Sequence, residues 1–465
     1  MPKQQIGLIG AVAIGLASML GAGVFVVFHT AYAISPTGYF WALALAAVVA
    51  VLNSWSVYSL ARQVDRPGGV YAYARVYLND GFSFAAGFAF VFGKIGSIAA
   101  IALAFNSYML SSYRFWPAAA AIVGLTVINI LGIQRTAGVA VALAILTTVY
   151  FTYMAVAGLI HPAPMLVLPA PDVAPTMPAV LSAAAIFFFA FAGYARVATL
   201  GDEVRDAKRN IPRAIVIALS AVAVLYAVLA VVMQKFLGLN LLTAEAPFKL
   251  LAESLIPVLP HQVTIAVAVL ASLGSMMALL AGVSRTAASM GEDRELPALF
   301  MKRNRFGSPW VAELVIAAGA LGLVAVGDLS WVIGFSSFSV LFYYSIGHLS
   351  VLRQLCSERV APRAVAVIGF ALCWALAFTV PGPAVPVSLG ILSVALLVRL
   401  GVVQKRTGKR YGGNPAAAMM GAVNEVFHPN AHNAQIVLEE KREARIAMPS
   451  PEDKPLKTDK RLDQQ

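Results

Sequence analysis

Apolar residues fall in long stretches, and polar residues are confined to the short gaps between them. The apolar stretches are roughly 6–34, 37–61, 82–110, 116–133, 137–160, 179–201, 212–234, 262–288, 310–327, 331–352, 364–380 and 385–401. Each is apolar on every face rather than along one stripe. About 20 residues of helix cross ~30 Å of hydrocarbon, so each stretch predicts a membrane-spanning helix, the shortest near the minimum. A membrane barrel would instead show alternating segments of ~10 residues, and these runs do not alternate. The pattern predicts an all-α polytopic membrane protein with twelve transmembrane helices over 1–403 and a charged, Pro-containing tail over 404–465.

Composition agrees with the pattern. Hydrophobic residues make up 60% of the chain, charged residues 12%, and mean hydropathy is +0.79. A soluble chain of 465 residues would need more charge to cover its surface. The net charge of +12 does not point to nucleic acid, because the basic residues lie between the apolar runs and in the tail. Alternate gaps hold Arg62, Arg66 and Arg75; Arg135; Arg205, Lys208, Arg209 and Arg213; Lys302, Arg303 and Arg305; Arg353, Arg359 and Arg363. The other gaps hold only Arg114, Lys235 and Lys249. The basic side is therefore expected in the cytoplasm of a plasma membrane, with both termini there. The first run reads as a retained span rather than a cleaved signal. Thr243–Leu255, in an external gap, could form a short surface helix. The tail reads as mostly disordered, with Lys405, Arg406, Lys409 and Arg410 beside the membrane lipid. Two cysteines, Cys356 and Cys373, are too few for a disulfide framework and read as packing residues.

Two spans carry a break signal. The first contains Met19-Leu20-Gly21-Ala22-Gly23-Val24-Phe25, and the sixth contains Phe189-Ala190-Phe191-Ala192-Gly193-Tyr194. Glycine in mid-helix weakens it and leaves backbone uncovered. Close packing explains a single such site. These two occupy matching places in successive sets of five spans, which is the sequence pointer to a transporter binding site. An unwound segment frees N–H groups that suit a carboxylate and C=O groups that suit an ammonium. A zwitterionic amino acid satisfies both.

Five motifs in order resemble the amino acid–polyamine–organocation permeases. These are Gly21–Phe25; Arg66-Pro67-Gly68-Gly69-Val70-Tyr71-Ala72-Tyr73; Phe189–Tyr194; Asp202–Arg213; and Ser284-Arg285 with Asp293-Arg294-Glu295-Leu296-Pro297. The resemblance covers about residues 6–400. It implies a LeuT-like inverted repeat of five helices plus five, about 6–160 and 179–352, with two further helices over 364–401. It implies that Ala22 and Gly23 offer N–H groups to a substrate carboxylate. Met19, Phe189 and Ala192 would then offer carbonyls to the ammonium, while Phe191 and Tyr194 shape the side-chain end or gate. Gly21, Ala190 and Gly193 complete the two breaks. Two departures stand out. Ala195 replaces an acid found in many members, and Ala207 replaces the loop proline. The missing acid points toward neutral or hydrophobic amino acids. Cationic amino acids, polyamines or a transport-inactive sensor remain the alternatives.

Lys94 lies in Phe92-Gly93-Lys94-Ile95-Gly96-Ser97, about twelve residues into the third span and so near mid-membrane. A charge there costs ~2.5–3.5 kcal/mol even on the mildest scale, so it is expected to face a cavity or pair with backbone carbonyls. It is the candidate for proton coupling; sodium is the alternative, with Ser284 and other hydroxyls on the eighth span. Loop Asp202–Arg213 reads equally as a gate or as topology charge, with Pro212 in the first turn of the seventh helix. His29, His161, His261 and His348 show no metal-ligand spacing. There is no metal motif, nucleophile elbow or acid pair in the spans, so neither an enzyme nor a cofactor is expected.

Overall fold

The computed structural model describes residues 6–21, 23–64, 68–109, 115–132, 137–164, 168, 173–198, 204–256 and 261–407. Ala22, Arg66, Pro67, Arg114, Arg135, Asp202, Glu203 and the tail beyond Thr407 lie outside the described residues. The described chain is helical, with one isolated bridge between Ile6 and Val204.

The apolar runs fold into the helices their length calls for. In order, these are α1 (Leu8–Met19), α2 (Val24–Ile34), α3 (Tyr39–Ala61), α4 (Val70–Tyr77), α5 (Asp80–Met109), α6 (Trp116–Ile130), α7 (Ala137–Ile160) and α8 (Met177–Phe191). There follow α9 (Ala195–Ala198), α10 (Ala207–Leu237), α11 (Pro247–Leu255), α12 (His261–Glu292), α13 (Trp310–Val326), α14 (Leu329–Arg353), α15 (Arg363–Phe378) and α16 (Ala384–Thr407). Among the described residues eight helices are long and apolar enough to cross a membrane, and α1 with α2 makes a ninth as one span bent by 45°. Three shorter apolar helices, α6, α13 and α15, accompany them.

α5 runs through the interior, and most of its residues are buried. It packs on α14, α12 and α13. Gly93 and Gly96 permit the close approach: a Cβ at Gly93 would lie 2.8 Å from Ser339 Cβ, and one at Gly96 2.8 Å from Phe335 Cδ1. Ser97 and Ser336 join hydroxyls at 2.8 Å across the same seam. α3 packs on α8 and α10 on α1; α7 packs on α1 and α14 on α8; α6 packs on α12 and α13 on α5.

At one end of the bundle lies α4, which the apolar pattern did not predict and which packs on α5, α14 and α3. Gly68 and Gly69 have φ of 118° and 60°, a turn that a side chain would strain. The Val70 N–H then donates to the Tyr343 hydroxyl at 2.9 Å. Arg75 of α4 reaches Asp293 at 2.8 Å and Glu295 at 3.0 Å, and Arg399 of α16 reaches Glu295 at 2.7 Å. The Tyr71 hydroxyl donates to Asp293 at 2.6 Å. Burial raises the Tyr71 phenol above its usual range, and that hydrogen bond raises it further. The Arg205 N–H donates to the Ile6 carbonyl at 2.9 Å.

The opposite end is covered by α11, which forms within the expected Thr243–Leu255. Its Phe248 ring packs 4.9 Å from Phe151 and 5.6 Å from Phe25. The Tyr108 hydroxyl accepts from the Phe248 N–H at 3.2 Å and donates to the Phe25 carbonyl at 3.0 Å.

Two expectations change. α10 begins at Ala207, so Pro212 sits inside the helix rather than in its first turn. Asp206 takes a left-handed φ of 49°, and its carbonyl accepts from the Arg209 and Asn210 N–H groups, which starts the helix early. Cys356 is exposed rather than packed, because it follows the end of α14 in a turn; Cys373 is buried.

Candidate functional site where two helices are interrupted

The first break follows from Gly21 and Gly23. α1 ends at Met19, the Leu20 N–H closes its last turn onto the Leu16 carbonyl, and helix resumes at Val24. The second break opens at the end of α8. After Phe191 the chain tightens to a 3₁₀ turn over Ala192–Tyr194 before α9.

The two breaks face each other. A Cβ built at Gly193 would collide with the Ser18 carbonyl and lie 2.6 Å from the Met19 nitrogen. Backbone there meets backbone, and only glycine fits. A Cβ at Gly23 would lie 2.9 Å from the Phe189 ring and 3.8 Å from the Ala190 α-carbon. One at Gly21 would strike the Ser275 hydroxyl of α12. Ala22 lies outside the described residues, so the site is drawn from its neighbours.

Around this junction the carbonyls have specific partners. The Met19 carbonyl accepts from the Tyr226 hydroxyl of α10 at 2.6 Å. A carbonyl has two lone pairs, so this bond occupies one of them. The Ala192 carbonyl accepts from Lys94 Nζ at 3.4 Å. Lys94 is only 6% exposed, and its ammonium lies 6.0 Å from the Phe90 ring centroid. The charge noticed in the third span is thus at the sixth-span break.

The aromatics divide by surroundings. Phe191 is fully buried and packs edge-on against Tyr226 at 5.1 Å. Tyr194 packs against Tyr344 of α14 at 5.3 Å and is fully buried. Phe189, against Gly23, is the least buried of the three at 9%.

Several polar groups had not been singled out from the sequence. Tyr226 and Ser275 are single polar residues inside apolar runs, with nothing nearby in sequence to mark their partners. His348, placed with the scattered histidines, binds Ser56 at 2.8 Å and Asn53 at 2.7 Å in a buried group bridging α14 and α3. Glu313 of α13 is 1% exposed and accepts from the Ser308 hydroxyl at 2.8 Å. Its place four residues after Pro309 was the available signal for a buried helix-start acid.

Comparison with known proteins bears on this arrangement. The family profile described as amino acid permease matches residues 6–403. The chain is 40% identical over 409 residues to the uncharacterized transporter Rv1999c of Mycobacterium tuberculosis (strain ATCC 25618 / H37Rv), covering 85% of this chain and 90% of that protein. It is 26% identical over 348 residues to the inner membrane transport protein YbaT of Escherichia coli (strain K12), covering 70% and 80%. It is 24% identical over 441 residues to the chloroplastic cationic amino acid transporter 7 of Arabidopsis thaliana, covering 84% and 74%.

Proposed function

The chain belongs to the amino acid permease family, and on that premise we propose that it moves neutral or hydrophobic amino acids across the plasma membrane by alternating access. The observation that carries this reading is the contact of Gly193 with Ser18 and Met19. Two interrupted helices meet at their interruptions, which places unscreened backbone of both at one point. N–H groups at the start of α2 suit a carboxylate, and the Met19, Phe189 and Ala192 carbonyls suit an ammonium. Phe189 and Phe191 give the apolar side-chain end.

The packing pairs support a twelve-helix, five-plus-five inverted repeat. Counting α6, α13 and α15 as short spans completes the twelve. Exchanging spans one to five with six to ten turns α3–α8 into α10–α1. The same exchange turns α7–α1 into α14–α8, and α6–α12 into α13–α5. The basic gaps put α4 and both termini in the cytoplasm, and α11 outside. In this reading the Arg75–Glu295–Arg399 group closes the inner end, and α11 closes the outer end.

Lys94 is the coupling candidate. It sits buried at the sixth-span break, where a change between inward and outward states would alter its contacts. The test is uptake by proteoliposomes with and without a pH gradient, in sodium and in choline. Sodium-independent uptake accelerated by an inward proton gradient is expected, with Lys94→Ala losing the pH response. Wild-type uptake that requires sodium, or a Lys94→Ala variant with a full pH response, contradicts the coupling.

A further inference from the structure

We propose that the groove between α5, α14 and α16 holds one acyl chain of a membrane glycerolipid, whose ester carbonyl accepts a hydrogen bond from the Ser388 hydroxyl. The groove shares no residue with the interrupted helices and takes its ligand from the bilayer.

The groove is apolar and open on one side. Phe88, Ala89 and Phe92 line it from α5, Phe342 from α14, and Ser388 and Leu392 from α16. The Phe88 and Phe92 rings stack at 5.0 Å. Ala89 and Leu392 are buried, whereas Phe88, Phe92 and Phe342 are half-buried, so the groove is shallow and its rim is exposed. α16 carries the opening into an apolar outer face. Ile391, also in the groove, is followed at helical spacing by the exposed Val394 and Val398. In a membrane such a face meets hydrocarbon. A long chain can lie along an open groove, and the bilayer supplies one. A solute from water would first have to cross hydrocarbon to reach it.

Ser388 specifies the polar end of the ligand. It is 5% exposed, and its hydroxyl has no hydrogen-bond partner among the described residues. Thr30, Ser339 and Ser350 turn their hydroxyls back to a carbonyl one helical turn earlier, as is usual in a helix. Ser388 does not, and a buried hydroxyl left unpaired is costly. It is one turn into α16, ~6 Å from the start of the helix. At that depth the ester groups of lipids border the hydrocarbon. An ester carbonyl there accepts from Ser388, and the chain continues over Leu392 and the phenylalanine rings. The bound chain also braces the α5–α14 seam, because Ser339 both lines the groove and lies against Gly93.

The experiment maps a lipid onto the protein. Delipidated full-length protein in detergent is titrated with a diester phosphatidylcholine carrying a photoreactive diazirine in one acyl chain. The labelled residues are then located by mass spectrometry. Labelling in the groove should saturate at one lipid per protein, while labelling at the exposed Val224 of α10 should rise without saturating. Ala89→Phe should fill the groove and cut its labelling about fivefold or more, leaving Val224 unchanged. The diether analogue lacks the carbonyl and should label the wild-type groove about threefold less, and Ser388→Ala should erase that difference. If Ala89→Phe does not fold, the wild-type titration and Ser388→Ala decide. Groove labelling that tracks Val224 without saturating means annular lipid only and overturns the site, as does an unlabelled groove. Equal labelling of the wild type by diester and diether overturns the bond from Ser388 and the proposal with it. An ester preference that persists in Ser388→Ala does the same.

Discussion

The α-carbon of Gly193 rests on the backbone of Ser18, so that a single added methyl group would overlap the Ser18 carbonyl. Backbone cannot rotate aside as a side chain can. Gly193→Ala should therefore destabilise the protein by about 1–3 kcal/mol and abolish uptake. Gly23→Ala meets only the edge of the Phe189 ring and should cost less. Thermal unfolding in detergent, run side by side on the two variants, checks the order.

Tyr226 holds the last carbonyl of α1 from the facing helix, at 2.6 Å. Tyr226→Phe removes that bond without opening a cavity. The expected loss is about 0.5–1.5 kcal/mol of stability, together with a changed substrate affinity, because the Met19 carbonyl regains a lone pair. Equal affinities for wild type and variant would place Met19 outside the substrate site.

Glu295 is clasped by Arg75 and Arg399, and its side chain is only 8% exposed. Glu295→Gln leaves two guanidinium groups facing a neutral amide. A loss of about 3 kcal/mol is expected, the low end for removing one partner of a buried pair. Because the clasp ties α4 and α16 to the end of α12, the variant should also raise the time spent open at that end. Faster cysteine labelling at Val70→Cys would report it.

Topology has a native reporter. Cys356 is exposed and Cys373 is buried. In intact cells a membrane-impermeant thiol reagent should leave Cys356 unmodified, whereas a cysteine at the exposed Glu245 should react. Reaction at Cys356 from outside would invert the orientation read from the loop charges.

The sequence shows what is local and conceals what is distant. The breaks were legible because glycine and small residues sit together within short stretches, Met19–Phe25 and Phe189–Tyr194. Helix ends were legible within a few residues wherever a long apolar run stops. α4 was not, because it is short, amphipathic and follows a turn signal that masks it. The Arg75–Glu295 pair joins residues 220 apart, and Tyr226 reaches Met19 across 207. Nothing in either neighbourhood announces its partner. Lys94 is the intermediate case: its depth was readable from its position in the run, but its contact with Ala192 required the fold.

The central claim is that an amino acid binds where the two interrupted helices meet, and Gly23→Leu tests it most directly. A leucine there drives into the Phe189 ring and fills the space in front of the start of α2. The measurement is ligand-induced thermal stabilisation of purified wild type and Gly23→Leu across the amino acids, paired with proteoliposome uptake. The wild type should be stabilised by at least one amino acid, and the variant should insert and unfold cooperatively but show neither stabilisation nor uptake. A Gly23→Leu protein that binds and transports like the wild type would contradict it.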